Sequence, residues 1–376
     1  FGTLGAAWDS LAVSAGIQAG SPEYYRAAFW AAVFLLVWDF VTGIIICWLY
    51  GKGKAVKKGF PAVLVMTLIG GGGELVLSQV NTTLSNFVPA VICLVVLMLM
   101  GRMKMYRDEW RIEDSKIMVR TESTGETLDA PKDMTLVQAF VPYALLSLMT
   151  IIVLTVKPVN AFLSKVQLSI SVPETSTGYG FVNAASDAFS PIVPFTHASM
   201  FLFLSAVIGL VYYKKHGWIQ AGGTKAIFGR SITMTMPSGM AVIGLVIMSK
   251  IMSGTGQTVV LSQGIAGVLG NKYLILAPFI GLLGTFMTGS NMSSNILFGD
   301  FQMTTSSLLG VNAPAVLGAQ TAGGSIGAAV SPSKIILGTT TAGCLGKEGD
   351  VLKIMLSLTV PATIAIGLFL FLVFGL

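Results

Sequence analysis

Eight consecutive residues, Thr288-Gly-Ser-Asn-Met-Ser-Ser-Asn295, carry six polar side chains inside an otherwise apolar stretch. Ser290 and Ser294 are four apart, as are Asn291 and Asn295, so a helix started here shows a polar face. Gly289 permits the chain to unwind at that point. Amides and hydroxyls both donate and accept hydrogen bonds, which suits a ligand with a carboxylate and a hydroxyl. Met287 and Met292 flank the cluster, and Leu297 and Phe298 resume the apolar pattern. Polar groups that only join membrane helices contribute about 0.6 kcal/mol each, and so dense a run is better read as a site.

A second interrupted stretch runs from Gln320 through Thr321, Gly323, Gly324 and Gly327 to Ser331-Pro-Ser-Lys334. Glycines four apart let helices approach closely, and Ser-Pro-Ser breaks a helix while supplying hydroxyls. Lys334 follows the break in apolar surroundings. A lysine near the centre of a membrane helix costs about 2.5–3.5 kcal/mol, so it is expected to face a cavity or a partner. An anionic ligand is one such partner; pairing with Asp300, or extension to the membrane surface, is the structural alternative. Irregular backbone survives at membrane depth only inside protein or beside water. Two such interruptions therefore predict a polar site near the midplane, where half-helix N-termini hold an anion.

The elements that position these stretches are hydrophobic helices. Of the 376 residues 53% are hydrophobic and only 11% charged, with a mean hydropathy of +0.78. A soluble domain carries roughly 25% charged residues, so the chain reads as an integral membrane protein. Its apolar runs are of helical spanning length. The expected fold is all-α and polytopic, with about eight transmembrane helices plus broken or re-entrant segments at the midplane. Expected spans include Arg26–Tyr50, Phe60–Val80, Val88–Gly101, Leu136–Val156, Ile192–Tyr213, Ser231–Met252 and Lys353–Leu376.

Between them, Lys52, Lys54, Lys57 and Lys58 mark a basic loop, and Arg102 to Met134 holds seven basic and eight acidic residues. Counted by Lys and Arg alone, and not by net charge, both loops are expected in the cytoplasm, with Asn81–Phe87 outside. Lys250 and Lys272 then fall at the outer surface. Lys157–Ser171 reads as an interfacial amphipathic helix, Val172–Pro191 as irregular, Trp218–Arg230 as a linker, and Thr258–Leu269 as a short surface helix. The organisation expected is membrane helices over 1–101, a cytoplasmic loop over 102–135, and a transport core over 136–376. Phe1-Gly-Thr-Leu-Gly opens in mid-pattern, as the second half of a broken helix in a longer protein would.

Three carboxylates lie within apolar segments: Asp39, Glu74 after four glycines, and Asp300 after the first break. Intramembrane carboxylates are candidates for coupling ions, protons above all. His197 enters a span and reads as a satisfied interface residue; His216 sits beside Lys214 and Lys215. Cys47, Cys93 and Cys344 stand alone without metal-ligand spacing and read as inert thiols. Metalloprotease, serine-hydrolase and phosphate-loop motifs are missing, and neither a cofactor nor nucleic acid is expected. The nearest approach to catalysis is a poor match to an intramembrane aspartyl protease, at Leu297-Phe-Gly-Asp300 and Trp38-Asp39.

Phe286-Met-Thr-Gly-Ser-Asn-Met-Ser-Ser-Asn-Ile-Leu-Phe298 resembles the lactate permease family, bacterial symporters of lactate, glycolate and related 2-hydroxy monocarboxylates. The resemblance continues through Gln302, Gly310-Val-Asn312, Thr321-Ala-Gly-Gly324, Ser331-Pro332 and Gly346-Lys-Glu-Gly-Asp350. It implies an inner-membrane carrier coupled to a cation, usually a proton, in which Thr288, Gly289, Ser290, Ser294, Asn295, Gly323, Gly324, Ser331 and Pro332 line the site. This sequence departs from the family pattern at Asn291, where an acidic residue is usual, and at Ser333-Lys334, where Gln follows Ser-Pro.

Together these readings predict a carrier whose substrate-binding residues are Thr288, Gly289, Ser290, Asn291, Ser294, Asn295, Thr321, Gly323, Gly324, Ser331 and Lys334. Its partners would be a small organic anion, a proton or Na+, and the lipid bilayer, with self-association left open. The rival readings are a sodium-coupled carrier of a dicarboxylate or sulfonate, a channel and, more remotely, the protease.

Overall fold

A computed structural model describes residues 4–107, 134–178, 181–219, 222–342 and 346–376. The helices in chain order are α1 (Ala6–Ser14), α2 (Pro22–Leu77), α3 (Thr82–Met100), α4 (Lys104–Arg107), α5 (Leu136–Ala139), α6 (Val141–Thr155) and α7 (Lys157–Leu163). Four short strands follow: β1 (Leu168–Val172), β2 (Thr175–Ser176), β3 (Val182–Asn183) and β4 (Ser186–Ile192). Then come α8 (Ala198–Lys215), α9 (Gly223–Gly254), α10 (Gln257–Leu269), α11 (Tyr273–Thr288), α12 (Asn291–Leu309), α13 (Ala313–Gly327), α14 (Pro332–Thr341) and α15 (Glu348–Phe374). The chain divides into two compact units, one of Phe1–Thr124 with Leu245–Leu376 and one of Gly125–Gly244.

In the first unit α2 starts with Ser21, whose Oγ accepts from the Tyr24 amide at 3.1 Å, and Pro22 at its first turn. The helix then reverses. Gly51 (φ −160°, ψ 31°) and Lys52 (φ 50°, ψ −141°) leave helical geometry, and the two limbs fold back on each other. Gly43 faces Val63, Gly59 faces Cys47 and Gly71 faces Leu36, which is the register of an antiparallel hairpin. The basic loop expected at Lys52–Lys58 is thus only a two-residue reversal. Lys54, Lys57 and Lys58 lie on the returning helix, as lysine's good helix propensity allows once Gly51 has turned the chain. α3 packs antiparallel on the returning limb, with Gly73 against Pro89, and is capped by Asn81 Oδ1 accepting from Thr83 and Leu84 amides at 3.0 Å each.

The core of this unit gathers α2, α11, α12, α13 and α15 around Phe34, Tyr273, Leu274, Val316, Ala319 and Leu370. Small residues set the spacing. A Cβ on Gly318 would meet Trp30 and the Ala31 backbone at 2.7–2.8 Å. A second cluster packs α1 onto α2 through Trp8, Leu11, Tyr24, Ala28 and Ala31. Tyr24 donates to Asp9 Oδ1 and shares a hydrogen bond with Thr82 Oγ1, both at 2.7 Å, tying α1, α2 and α3 together.

In the second unit α6 packs on α8, where Gly209 faces Pro142 and Tyr213 donates to the Ala139 carbonyl at 2.8 Å. His197 caps α8, its Nδ1 accepting from the Ser199 amide at 3.3 Å. Three local expectations are corrected here. The helix expected over Lys157–Ser171 ends at Leu163, because Leu168-Ser-Ile-Ser-Val172 alternates with period two and pairs as a strand with β4. Val172–Pro191, expected to be irregular, contributes the antiparallel pairs β1–β4 and β2–β3. α9 already begins at Gly223, so Lys225 and Arg230 lie on a helix and not in a linker.

Among the described residues four segments are long and apolar enough to cross a membrane: Pro22–Leu77, Thr82–Met100, Gln257–Thr288 and Glu348–Phe374. The bent pair Val141–Thr155 and Lys157–Leu163, at 91°, adds a fifth. The first contains the span expected at Arg26–Tyr50 and all but the last three residues of that expected at Phe60–Val80. The protein is an all-α, multi-pass membrane protein. Most of the long polar loop, Cys344 and the first three residues lie outside the described residues.

Candidate functional site

α11 ends where Gly289 adopts φ 75°, ψ 1°, a left-handed conformation that favours glycine. Ser290 is extended (φ −141°, ψ 124°), and its Oγ accepts from the Ser293 amide at 3.4 Å to start α12. Thr288 closes the turn, its hydroxyl 2.8 Å from the Gly284 carbonyl and 3.0 Å from that of Ser290. The break expected here is a full reversal. α12 returns antiparallel to α11, with Ser294 Oγ donating to the Gly281 carbonyl at 3.0 Å and Tyr273 bonded to Gln302. Gly284, facing Ser294 and Phe298, leaves the room for this packing, and Gly281 faces α13.

The second interruption falls later than the glycines that announced it. α13 runs unbroken to Gly327, and the chain turns over Ala328–Val330 before Pro332 opens α14. Gly323 and Gly324 therefore spend their amides inside the helix and have none free for a ligand. Gly323 instead lets α13 lie directly on the Pro278 carbonyl, and Gly327 approaches that of Leu282. α13 thus runs parallel to α11, and their C-terminal ends arrive together. At about 1.5 Å per residue, the 15 residues of α13 and 10 of α14 have spanning length between them, with the break inside.

The two breaks meet. A Cβ on Gly289 would lie 2.6 Å from Ser333 Oγ and 3.5 Å from Ser331 Oγ. Ser331 and Ser333 hydroxyls are 3.0 Å apart. Two helix N-termini, those of α12 and α14, and two C-termini, those of α11 and α13, converge on this point. The N-termini offer unpaired amides and positive partial charge, the C-termini carbonyls and negative partial charge.

Below the crossing lies a polar floor. Asn295 is fully buried and its Nδ2 donates to Thr321 Oγ1 at 2.9 Å and to the Ala7 carbonyl of α1 at 3.0 Å. Asn291 Nδ2 reaches Thr321 Oγ1 at 3.2 Å and Ser325 Oγ at 3.4 Å. Both asparagines thus share one face of α12, as their spacing predicted. Ser294 faces elsewhere: it bonds Gly281 and accepts from Gln320 Nε2 at 3.2 Å, within a buried chain through Gln302 to Tyr273. Its hydroxyl holds the frame.

The remaining predicted residues are spread out. Lys334 is exposed on the first turn of α14. Asp300 lies three helical turns from Ser290 on α12, its amide 3.3 Å from Ser14 Oγ of α1. Asp39 and Glu74 belong to the α2 hairpin. Glu74 is buried on the returning limb, with Oε1 unpartnered.

Sequence reasoning missed Thr285, Ala7, Ser14 and Asp9. Thr285 was detectable as the residue four before Gly289, on the turn leading into the break; α1 gave no local signal.

A sequence model of the family described as L-lactate permease matches residues 1–376. The L-lactate permease of Halalkalibacterium halodurans is 25% identical over 336 residues, covering 86% of this chain and 59% of that relative. That of Escherichia coli K12 is 24% identical over 359 residues, 87% of this chain and 61% of the relative. The glycolate permease GlcA of the same organism is 24% identical over 337 residues, 80% and 56% respectively. This chain spans about three-fifths of the length of these curated relatives. No solved structure matches it.

Proposed function

Because this chain belongs to the L-lactate permease family, we propose that it carries a small 2-hydroxy monocarboxylate, such as L-lactate or glycolate, across the inner membrane with a coupling cation. The observation that carries this reading is the meeting of the two breaks, Gly289 against Ser331 and Ser333. A carboxylate suits the converging N-termini of α12 and α14, where free amides and the helix dipoles favour an anion. The hydroxyls of Ser290, Ser325, Ser331 and Ser333 stand ready for the substrate's own hydroxyl, and Lys334 adds positive field. Thr288 and Gly289 shape the turn, while Asn291, Asn295, Thr321 and Gly324 form the floor. The relatives named as lactate and glycolate permeases support this substrate class.

Uptake of labelled lactate into vesicles containing the protein tests it directly. Saturable uptake, inhibited by unlabelled glycolate and not by a dicarboxylate or a sulfonate, is expected. Inhibition by the dicarboxylate or sulfonate alone would replace the substrate class, and flux that never saturates would indicate a channel.

For proton coupling, Glu74 is the candidate the fold favours over Asp39 and Asp300. It is 6% exposed, with one carboxyl oxygen unpartnered, and buried carboxyls of this kind mark proton pathways. Glu74→Gln keeps the shape and removes the exchangeable proton. Accumulation driven by an inward proton gradient should fall by about tenfold or more, the effect of about 1.4 kcal/mol, while exchange of lactate for lactate continues. Undiminished gradient-driven accumulation in the variant would remove Glu74 from the mechanism.

A further inference from the structure

Three buried oxygens on the first two turns of α12 and the last turn of α11 have no hydrogen-bond partner within the protein: Asn291 Oδ1, Asn295 Oδ1 and Thr285 Oγ1. Asn295 and Thr285 are fully buried. The orientation of Asn295 is fixed by its neighbours. The Ala7 carbonyl can only accept, so the amide nitrogen must face it and the carbonyl oxygen must face away. The Asn291 nitrogen lies 3.2 Å from Thr321 Oγ1 and 3.4 Å from Ser325 Oγ, which leaves its oxygen unpaired. On the far side of that contact, Asn291 Oδ1 and Thr285 Oγ1 both lie against Gly324, the latter 3.1 Å from where a Cβ would sit.

What remains open is therefore two amide oxygens, which only accept, and one hydroxyl, Thr285, which can do either. The amide donors are already spent, so a carboxylate would find one donor, the Thr285 hydroxyl, beside two amide oxygens that repel it. These three oxygens are also neutral, with nothing to ionise in the pH range where proteins function, so the pocket cannot store a proton as a carboxylate does. A single substrate hydroxyl has one proton and satisfies one oxygen of the three. A metal cation takes several oxygens at once. Hard oxygen donors without thiolate or imidazole suit an alkali or alkaline-earth cation. With no carboxylate in the set, one positive charge fits better than two.

We propose that Asn291 Oδ1, Asn295 Oδ1 and Thr285 Oγ1 form a site for a monovalent metal cation, sodium, directly below the place where the two breaks meet. The carboxylate at the N-termini of α12 and α14 then lies next to a bound positive charge. Each ion strengthens the other's binding, and by linkage the two effects are equal. The cation site stands on the orphaned oxygens alone; its coupling to lactate rests on the transport reading above.

The test is thermal unfolding of the purified full-length protein in sodium, potassium and choline chlorides at equal ionic strength, without lactate. Sodium should raise Tm in a saturable manner, with no comparable rise in potassium or choline. Thr285→Val, which keeps the side-chain shape, and Asn291→Ala should each remove the shift. Equal Tm in all three salts would overturn the proposal and leave the pocket to water. So would a sodium shift that survives in both variants, since the ion would then bind elsewhere. A second arm measures lactate affinity with and without sodium, expected to differ about fivefold or more, at the lower end of typical couplings. Sodium-independent uptake of lactate would defeat the coupling and leave the carrier standing. A sodium shift in a protein that takes up no lactate would do the reverse.

Discussion

Asn295→Ala is expected to reduce lactate uptake to the background of vesicles lacking the protein, while the chain still inserts and folds. The two consequences separate by magnitude. The Asn295 amide makes two hydrogen bonds, to Thr321 and to the Ala7 carbonyl of α1. Losing such bonds between membrane helices costs about 0.6 kcal/mol each, up to about 1.7, which a multi-pass protein tolerates. For transport the same deletion removes the link between α1 and the pocket floor, and one of three buried oxygens without a partner. Rapid uptake in a folded Asn295→Ala protein would mean that the floor is structural. Asn295→Gln, which keeps the groups but not their reach, should be nearly as inactive.

The second large effect comes from two neighbouring glycines with opposite consequences. On Gly323 a Cβ would run into the Pro278 carbonyl, and neither backbone can yield without separating α11 from α13. Gly323→Ala should therefore lower stability by about 1–3 kcal/mol or more, the cost of overpacking a fixed interface, and reduce the amount of folded protein. On Gly324 the added methyl meets the Asn291 side chain and sits near Thr285 Oγ1. A side chain can swing aside, so Gly324→Ala should fold, but with Asn291 pulled from Thr321 and Ser325 and the orphaned oxygens covered. Uptake should fall by about tenfold or more, the equivalent of about 1.4 kcal/mol in binding. Comparing folded yield with uptake per folded molecule separates the two. If Gly324→Ala transports normally, the pocket is not where the account puts it.

Those glycines also mark how far the sequence could be read. Adjacent residues on a helix point about 100° apart, so Gly323 and Gly324 cannot serve one face, although a linear reading groups them. The asparagines were legible because four residues is nearly one turn, and the structure does set both on Thr321. Ser290 and Ser294 obey the same spacing, yet one caps α12 and the other is claimed by Gly281. Spacing identifies a face, and only packing says what that face meets. The reversal at Gly289 follows from a left-handed φ and from room at Gly284, neither of which composition reveals. Likewise the second break was visible in Ser331-Pro332, but α13 holds its helix through the preceding glycines because each rests against neighbouring backbone or side chain. The contribution of α1 arises from contacts nearly 290 residues apart in sequence, beyond any local pattern.

On the proposed reading, the substrate enters a wet pocket where the two breaks meet. Ser333 stands at that meeting, and a single thiol introduced there reports on it. With Cys47, Cys93 and Cys344 replaced by serine, the Ser333→Cys variant should react with a charged, water-borne thiol reagent in intact membranes. Lactate should slow that reaction at concentrations that saturate uptake. A folded, active variant whose introduced thiol reacts at the same rate with and without lactate, or never reacts, would contradict the account.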